Sequence, residues 1–451
     1  MTQMVNYLST TNACKLCKPL GASLAFKGIE GCVPFLHGSQ GCATYMRRYI
    51  ISHFNEPIDI TSSSLGEKQA IYGGGPNLKL GLKNVTEKYR PSIIGVATTC
   101  LTETIGDNVQ MILREYEDEF GGETTPDVVS VSTPSYSGTH MEGFHAAVKA
   151  VVQQVVVPDT GEHDGVNVLS GFISAADIRY LKEVFEDSQL DATILPDYSD
   201  TLDGTALDDY PLIAEGGTSL QSIKKMGGAR ATIECGSTLP KDSAGAVLAE
   251  DHGVELKRTG LPVGIRATDR FHEILETISG IETPRKYVRA RGRLIDAMVD
   301  GHKYIAGKKA VVYGEEDLVV GLSSFLAEIG IKPVLCVSGG KSGMFEQAVQ
   351  EAVAEFEDID PVVREGVDFY DIEHLAREIG VDMLVGHSKG FAFARKEDLP
   401  LIRVGFPVHD RIGGQRILHL GYHGAQNLYD LITNTIIEKK QNDSDVGYSY
   451  M

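Results

Sequence analysis

Short apolar runs rich in β-branched residues recur along the chain. Each closes on Gly, Ser, Thr or Asp, or a residue or two before one, and most are followed by a stretch of helical periodicity. The runs at 92–99, 128–132, 166–171, 192–196, 231–235, 309–313, 332–337, 383–386 and 401–405 are apolar at nearly every position and predict strands. Between them lie amphipathic stretches. Over 175–190, Ile178, Leu181, Val184 and Phe185 fall on one helical face and charged residues fall elsewhere. Strands that are apolar throughout and alternate with helices predict parallel sheets covered on both faces, an α/β architecture. Nine such strands exceed one comfortable doubly wound sheet. Two breaks divide them: the turn-rich Val157-Pro-Asp-Thr-Gly-Glu-His-Asp-Gly165, and the Gly307-Lys-Lys that follows a long helical pattern at 287–302. The expected organisation is therefore three Rossmann-like domains, near 1–160, 161–300 and 301–451, with a polar, exposed tail from Lys439.

Charge and composition narrow the function. The formal net charge is −20, which argues against nucleic-acid binding and against anionic membranes. No apolar run reaches the ~18 residues of a membrane span. Positions 1–7 lack the basic and apolar regions of a secretory leader, so a cytoplasmic protein is expected. Glycine accounts for 49 of 451 residues, well above the usual ~7%. The seven cysteines are an odd set in a non-secretory context, so they are expected to be core residues or ligands rather than disulfides.

Three cysteines share one local setting. Cys17 precedes Lys18-Pro-Leu-Gly, which opens an apolar helix. Cys42 closes the Gly-rich loop His37-Gly-Ser-Gln-Gly-Cys before a helix over 44–54. Cys100 follows a strand ending Ala97-Thr-Thr and precedes another helix start. Thiols at helix N-termini are favoured as thiolates, and the carboxyl end of a strand is the usual ligand edge of an α/β sheet. Thiolates converging from three segments suit an iron–sulfur cluster, completed by a partner chain, better than zinc, which usually takes two close pairs. Buried apolar packing and a zinc site are the competing readings of the same residues. Cys32, Cys235 and Cys336 lie in or beside apolar strand runs and are expected in the core. Gly386-His-Ser-Lys-Gly390 matches the nucleophile-elbow pattern after a strand. Val337-Ser-Gly-Gly-Lys-Ser-Gly fails as a phosphate loop because Leu335 stands where its first glycine belongs.

The segment Cys14-Lys-Leu-Cys-Lys-Pro-Leu-Gly, followed by His37-Gly-Ser-Gln-Gly-Cys, resembles the β-type subunits of nitrogenase component 1. The likeness continues through His53-Phe-Asn-Glu-Pro, Tyr72-Gly-Gly-Gly, Thr98-Thr-Cys-Leu-Thr-Glu-Thr-Ile-Gly-Asp107 and Thr133-Pro-Ser-Tyr. It runs on through Leu195-Pro-Asp-Tyr-Ser-Asp-Thr-Leu-Asp-Gly204, Arg291-Gly-Arg-Leu-Ile-Asp-Ala and Val404-Gly-Phe-Pro-Val-His-Asp-Arg411. The resemblance implies three Rossmann-like domains and an α-type partner in an α2β2 assembly. It also implies an iron–sulfur cluster, of the 4Fe–4S or the P-type 8Fe–7S kind, at the αβ interface, with Cys17, Cys42 and Cys100 as this chain's ligands. An ATP-dependent iron protein would supply electrons. Gly41 is expected to let the backbone approach the cluster, and Cys14 to be a spare or supporting thiol. Ser135 stands where catalytic subunits carry a serine able to ligate an oxidised eight-iron cluster. Two roles fit. The scaffold subunit of iron–molybdenum cofactor biosynthesis is favoured by the short chain, the middle-domain run 193–204 and the Cys14/Cys17 pair. A catalytic β subunit is favoured by the three thiols, since the best-known scaffold subunits keep only the middle one.

Overall fold

The computed structural model describes residues 12–122, 125–158 and 160–446, so the N-terminal stretch 1–7 judged above lies outside the described residues. Three separate parallel sheets carry the chain. The first has the order β2-β1-β3-β4, from Thr61–Ser62 (β2), Cys32–His37 (β1), Ile93–Thr98 (β3) and Asp127–Val131 (β4). The second runs β6-β5-β7-β8, from Ala192–Leu195 (β6), His163–Leu169 (β5), Ala229–Cys235 (β7) and Glu255–Thr259 (β8). The third runs β11-β10-β9-β12-β13, from Val362–Arg364 (β11), Lys332–Ser338 (β10), Lys309–Gly314 (β9), Met383–Gly386 (β12) and Leu401–Arg403 (β13). Every position of β1, β3 and β12 is buried, as strands covered on both faces require.

The helices start where capping chemistry sets them. Ser174 and Asp177 form a capping box for helix Ala175–Asp187, which buries Ile178, Leu181, Val184 and Phe185. The last helix, Gly421–Asn442, continues into the polar stretch expected to be an exposed tail. Lys439 anchors it there by donating to Asp398 and Asp443, both at 2.6 Å. This helix packs back on Gly264–Ser279 and Arg285–Ile305, so contacts cross the break expected near 300. One apolar core runs from Leu16 to Ile436 through all three sheets, with smaller cores on the outer faces of the first and third. No helix of the described residues is long and apolar enough to cross a membrane.

The contact that places the N-terminal helix is made by backbone. Helix Lys18–Lys27 lies against His140–Val155 so closely that a Cβ on Gly21 would stand 1.6 Å from the His140 carbonyl oxygen, and one on Gly143 would stand 1.9 Å from that of Lys18. No rotamer relieves such an overlap, so the helices must separate. Gly21→Ala is expected to destabilise the protein by about 3 kcal/mol or more, at the upper end for overpacking. The result would appear as a lowered thermal unfolding midpoint. An unchanged midpoint would mean that the helix contact contributes little.

Candidate metal centre

β1 and β3 are neighbours in parallel register, with His37 opposite Thr98, so the segments leaving their carboxyl ends emerge side by side. Ser39 caps helix Gln40–Phe54, accepting from the Cys42 N–H at 3.4 Å. Cys42 therefore sits in the first turn of a helix that begins earlier than its sequence pattern suggested. Gly41 belongs to that turn and not to a loop. Thr99 caps Cys100–Ile105, which makes Cys100 its first residue. The two segments are tied together at His37, whose carbonyl accepts from the Thr99 N–H (3.1 Å) and the Thr102 hydroxyl (2.9 Å). Gly38 is required at this crossing, because a Cβ there would lie 2.3 Å from the Thr99 hydroxyl.

Cys17 arrives from a third direction, as N-cap of Lys18–Lys27. Leu16 fixes its approach by pairing with His140 twice, Leu16 N–H to His140 Nδ1 at 3.3 Å and His140 N–H to the Leu16 carbonyl at 3.1 Å. With Nδ1 accepting, the His140 proton is on Nε2, which donates to the buried Glu315 at 3.0 Å. Ser135 stands between two of the thiols. Its N–H donates to Cys100 Sγ at 3.2 Å, its hydroxyl accepts from the Lys18 N–H at 3.3 Å, and its side chain favours the Cys17 thiolate.

Electrostatics sorts the seven cysteines into two sets. Cys14, Cys32, Cys235 and Cys336 are buried, and burial pushes each thiol up to about 12, which keeps them neutral packing groups. Cys17, Cys42 and Cys100 are the half-buried ones. Burial raises the Cys17 pKa first, Ser135 opposes it, and the nearby Cys100 and Cys42 raise it further. Among the described residues, no three His, Cys, Asp or Glu side chains close on a point where one metal ion would sit.

The remaining candidates have structural work. His37 is buried between Ser63 (2.9 Å) and Asp107 (3.1 Å). Glu103 accepts from the Thr98 and Ser132 hydroxyls, and Arg47 pairs with Asp59 and the Ile58 carbonyl. Ser388 of the nucleophile-elbow pattern donates to the Pro407 carbonyl at 2.9 Å and accepts from the His409 N–H at 3.0 Å. Its hydroxyl is thus committed to backbone, and no histidine ring bonds it as a base would. Sequence reasoning missed Lys389, whose contact with the Cys14 segment spans the whole chain and leaves no local pattern.

A sheet edge presenting Cys42 and Cys100 at helix starts, with Cys17 brought to it at the start of a third helix, defines a cysteine-rich ligand site on a three-sheet α/β scaffold. Residues 17–437 match the family model described as nitrogenase component 1 type oxidoreductase, and the chain belongs to that family. Within it, this is a β-type chain. It is 36% identical over 429 residues to the nitrogenase molybdenum-iron protein beta chain of Clostridium pasteurianum, covering 95% of this chain and 93% of that one. The beta chain of Methanothermobacter thermautotrophicus is 34% identical, with 94% and 93% covered. A solved structure, nitrogenase Cp1 at pH 6.5, superposes with a TM-score of 0.96 at 34% identity over 99% of this chain and 98% of that one.

Proposed function

We propose that this chain is the β-type subunit of a catalytic nitrogenase component 1. In this reading Cys17, Cys42 and Cys100 hold an iron–sulfur cluster of the eight-iron type, shared with an α-type partner in an α2β2 assembly and supplied with electrons by an ATP-dependent iron protein. The observation that carries the reading is Ser135, whose N–H donates to Cys100 Sγ at 3.2 Å and whose side chain favours the Cys17 thiolate, with Cys42 as a third half-buried thiol. Three thiols reaching one region from three helix starts suit a cluster of several iron atoms. At Gly41 a Cβ would meet only the Ser39 hydroxyl, at 3.7 Å, which leaves that face of the turn open for close approach. Half-burial of the thiols, with Tyr45 and Tyr136 exposed beside Cys42 and Ser135, suits closure by a second chain that brings the remaining ligands.

When bound, such a cluster supplies one- and two-electron transfer. This chain's own residues fix its place and tune it. The thiolates bind iron, the Ser135 N–H bonds a ligand sulfur, and that bond and the helix starts favour negative charge at the cluster. The maturation scaffold is the other role within the family. The short chain that favoured it separates nothing, since the Clostridium pasteurianum beta chain is covered to 93%.

Electron paramagnetic resonance on the complex with its α-type partner, purified anaerobically, tests the choice. The expected result is a silent cluster in dithionite that becomes integer-spin on oxidation. A paramagnetic, reduced four-iron signal with about half the iron would instead assign the scaffold role.

A further inference from the structure

The third sheet reverses its strand order between β9 and β12, and the crevice at the carboxyl ends of such a pair is where open α/β sheets take their ligands. Here Glu315 follows β9, and His387-Ser388-Lys389 follows β12. The occupant of this edge is the chain's own Asn12–Lys15 segment. Lys389 Nζ donates to the Ala13 carbonyl at 2.8 Å and the Lys15 carbonyl at 3.1 Å, and Asn12 Nδ2 donates back to the Lys389 carbonyl at 3.0 Å. Ala13 forms an antiparallel bridge with Asp368, and the Phe369 N–H donates to the Asn12 carbonyl at 3.3 Å. Cys14 enters the third sheet's core among Val311, Tyr313 and Val337, with its Sγ 3.6 Å from His387 Nε2. The fit leaves no slack, since a Cβ on Gly339 would stand 2.3 Å from the Cys14 carbonyl oxygen.

The strap ends two residues before Cys17. Its anchor is a half-buried ammonium on a different sheet from the one that carries Cys42 and Cys100. That ammonium feels both Cys14 and Cys17, and its charge in turn favours their thiolates.

We propose that Lys389 is a positioning residue for the cluster: it pins the Asn12–Lys15 strap into the ligand edge of the third sheet, so holding Cys17 at the metal centre, and it supplies that ligand with a fixed positive charge. The inference rests on the cluster reading above. A lysine holding two carbonyls stabilises the strap through charge-assisted hydrogen bonds. A cation beside the cluster stabilises its reduced, more negative state and so raises its potential.

The test uses the anaerobic complex with the α-type partner and compares wild type with Lys389→Met, Lys389→Arg and the milder Asn12→Ala. In Lys389→Met, amide hydrogen exchange over 13–17 is expected to speed up about tenfold or more, and a redox titration followed by electron paramagnetic resonance is expected to give a more negative midpoint. Lys389→Arg keeps the charge and should hold the midpoint near wild type. Asn12→Ala lies at the exposed end of the strap, so the fold is expected to survive; it should speed exchange with the iron retained. Unchanged exchange in both Lys389→Met and Asn12→Ala overturns the inference whatever the iron content. An unchanged midpoint in an iron-loaded Lys389→Met complex overturns the charge half of it. A wild-type complex without iron at these thiols overturns the cluster reading itself, and exchange alone then decides whether the strap is pinned.

Discussion

Cys42→Ala is expected to strip most of the thiol-bound iron from the complex of this chain with its α-type partner while leaving the three sheets folded. Cys42 lies in the first turn of its helix, half-buried, and its thiol bonds only the Ser39 hydroxyl, at 3.5 Å. The cap of that helix is made by the Ser39 oxygen and the backbone N–H of residue 42, and alanine keeps both. Deleting one half-exposed sulfur should therefore cost the fold no more than about 1 kcal/mol. A cluster that loses one of three thiolates from this side loses a covalent anchor. Iron per complex and the thermal midpoint, measured on one preparation, separate the two effects. Cys32→Ala is the matched control. That thiol is neutral core packing in β1, so its loss should lower the midpoint and leave the iron in place. Wild-type iron content in Cys42→Ala would remove the cluster assignment.

The two sets of cysteines were partly legible before any fold was seen. Cys32, Cys235 and Cys336 sit in apolar runs, whereas Cys17, Cys42 and Cys100 sit where a strand or loop gives way to a helix. Propensity and period carry that distinction because both are local. Cys14 was not legible. Only the fold shows that it turns into the third sheet beside His387, 373 residues away. The same limit explains the strands. Those buried on both faces announce themselves as apolar runs. β8, Glu-Leu-Lys-Arg-Thr, is an edge strand with no buried position, and its charged side chains protect an open edge while erasing the pattern. β2 and β11 are too short to show a period. Ser135 entered the reading through family likeness. Its position between Cys17 and Cys100 depends on β4 lying next to β3, a pairing that no periodicity encodes.

Asp177→Ala is expected to have the largest effect on the fold, because one carboxylate joins the middle unit to the start of the last helix. Asp177 is fully buried. It accepts from the Ser174 N–H at 3.0 Å, the His419 N–H at 2.6 Å, the Leu420 N–H at 3.0 Å and His419 Nδ1 at 2.7 Å. Alanine leaves those donors facing an apolar interior and unpairs a buried histidine. Leaving buried donors without a partner costs about 1–3 kcal/mol each, so the loss should reach about 3 kcal/mol or more. At 1.4 kcal/mol per decade, the His419 and Leu420 amides should exchange about a hundredfold faster or more in the variant complex. Rates within a few fold of wild type would show that the carboxylate does not hold this junction. The pH dependence has a defined sign. Burial alone would raise the Asp177 pKa, but the charge and hydrogen bond of His419, with the backbone N–H groups, outweigh it and hold the group below the ordinary 3.8. The stabilisation is therefore complete above the unfolded value and is lost as pH falls through the lower, folded one. Protection at 419–420, corrected for intrinsic exchange, should thus decline from about pH 4 downward in wild type. In Asp177→Asn, which has no proton to take up, it should start lower and stay flat over the same range.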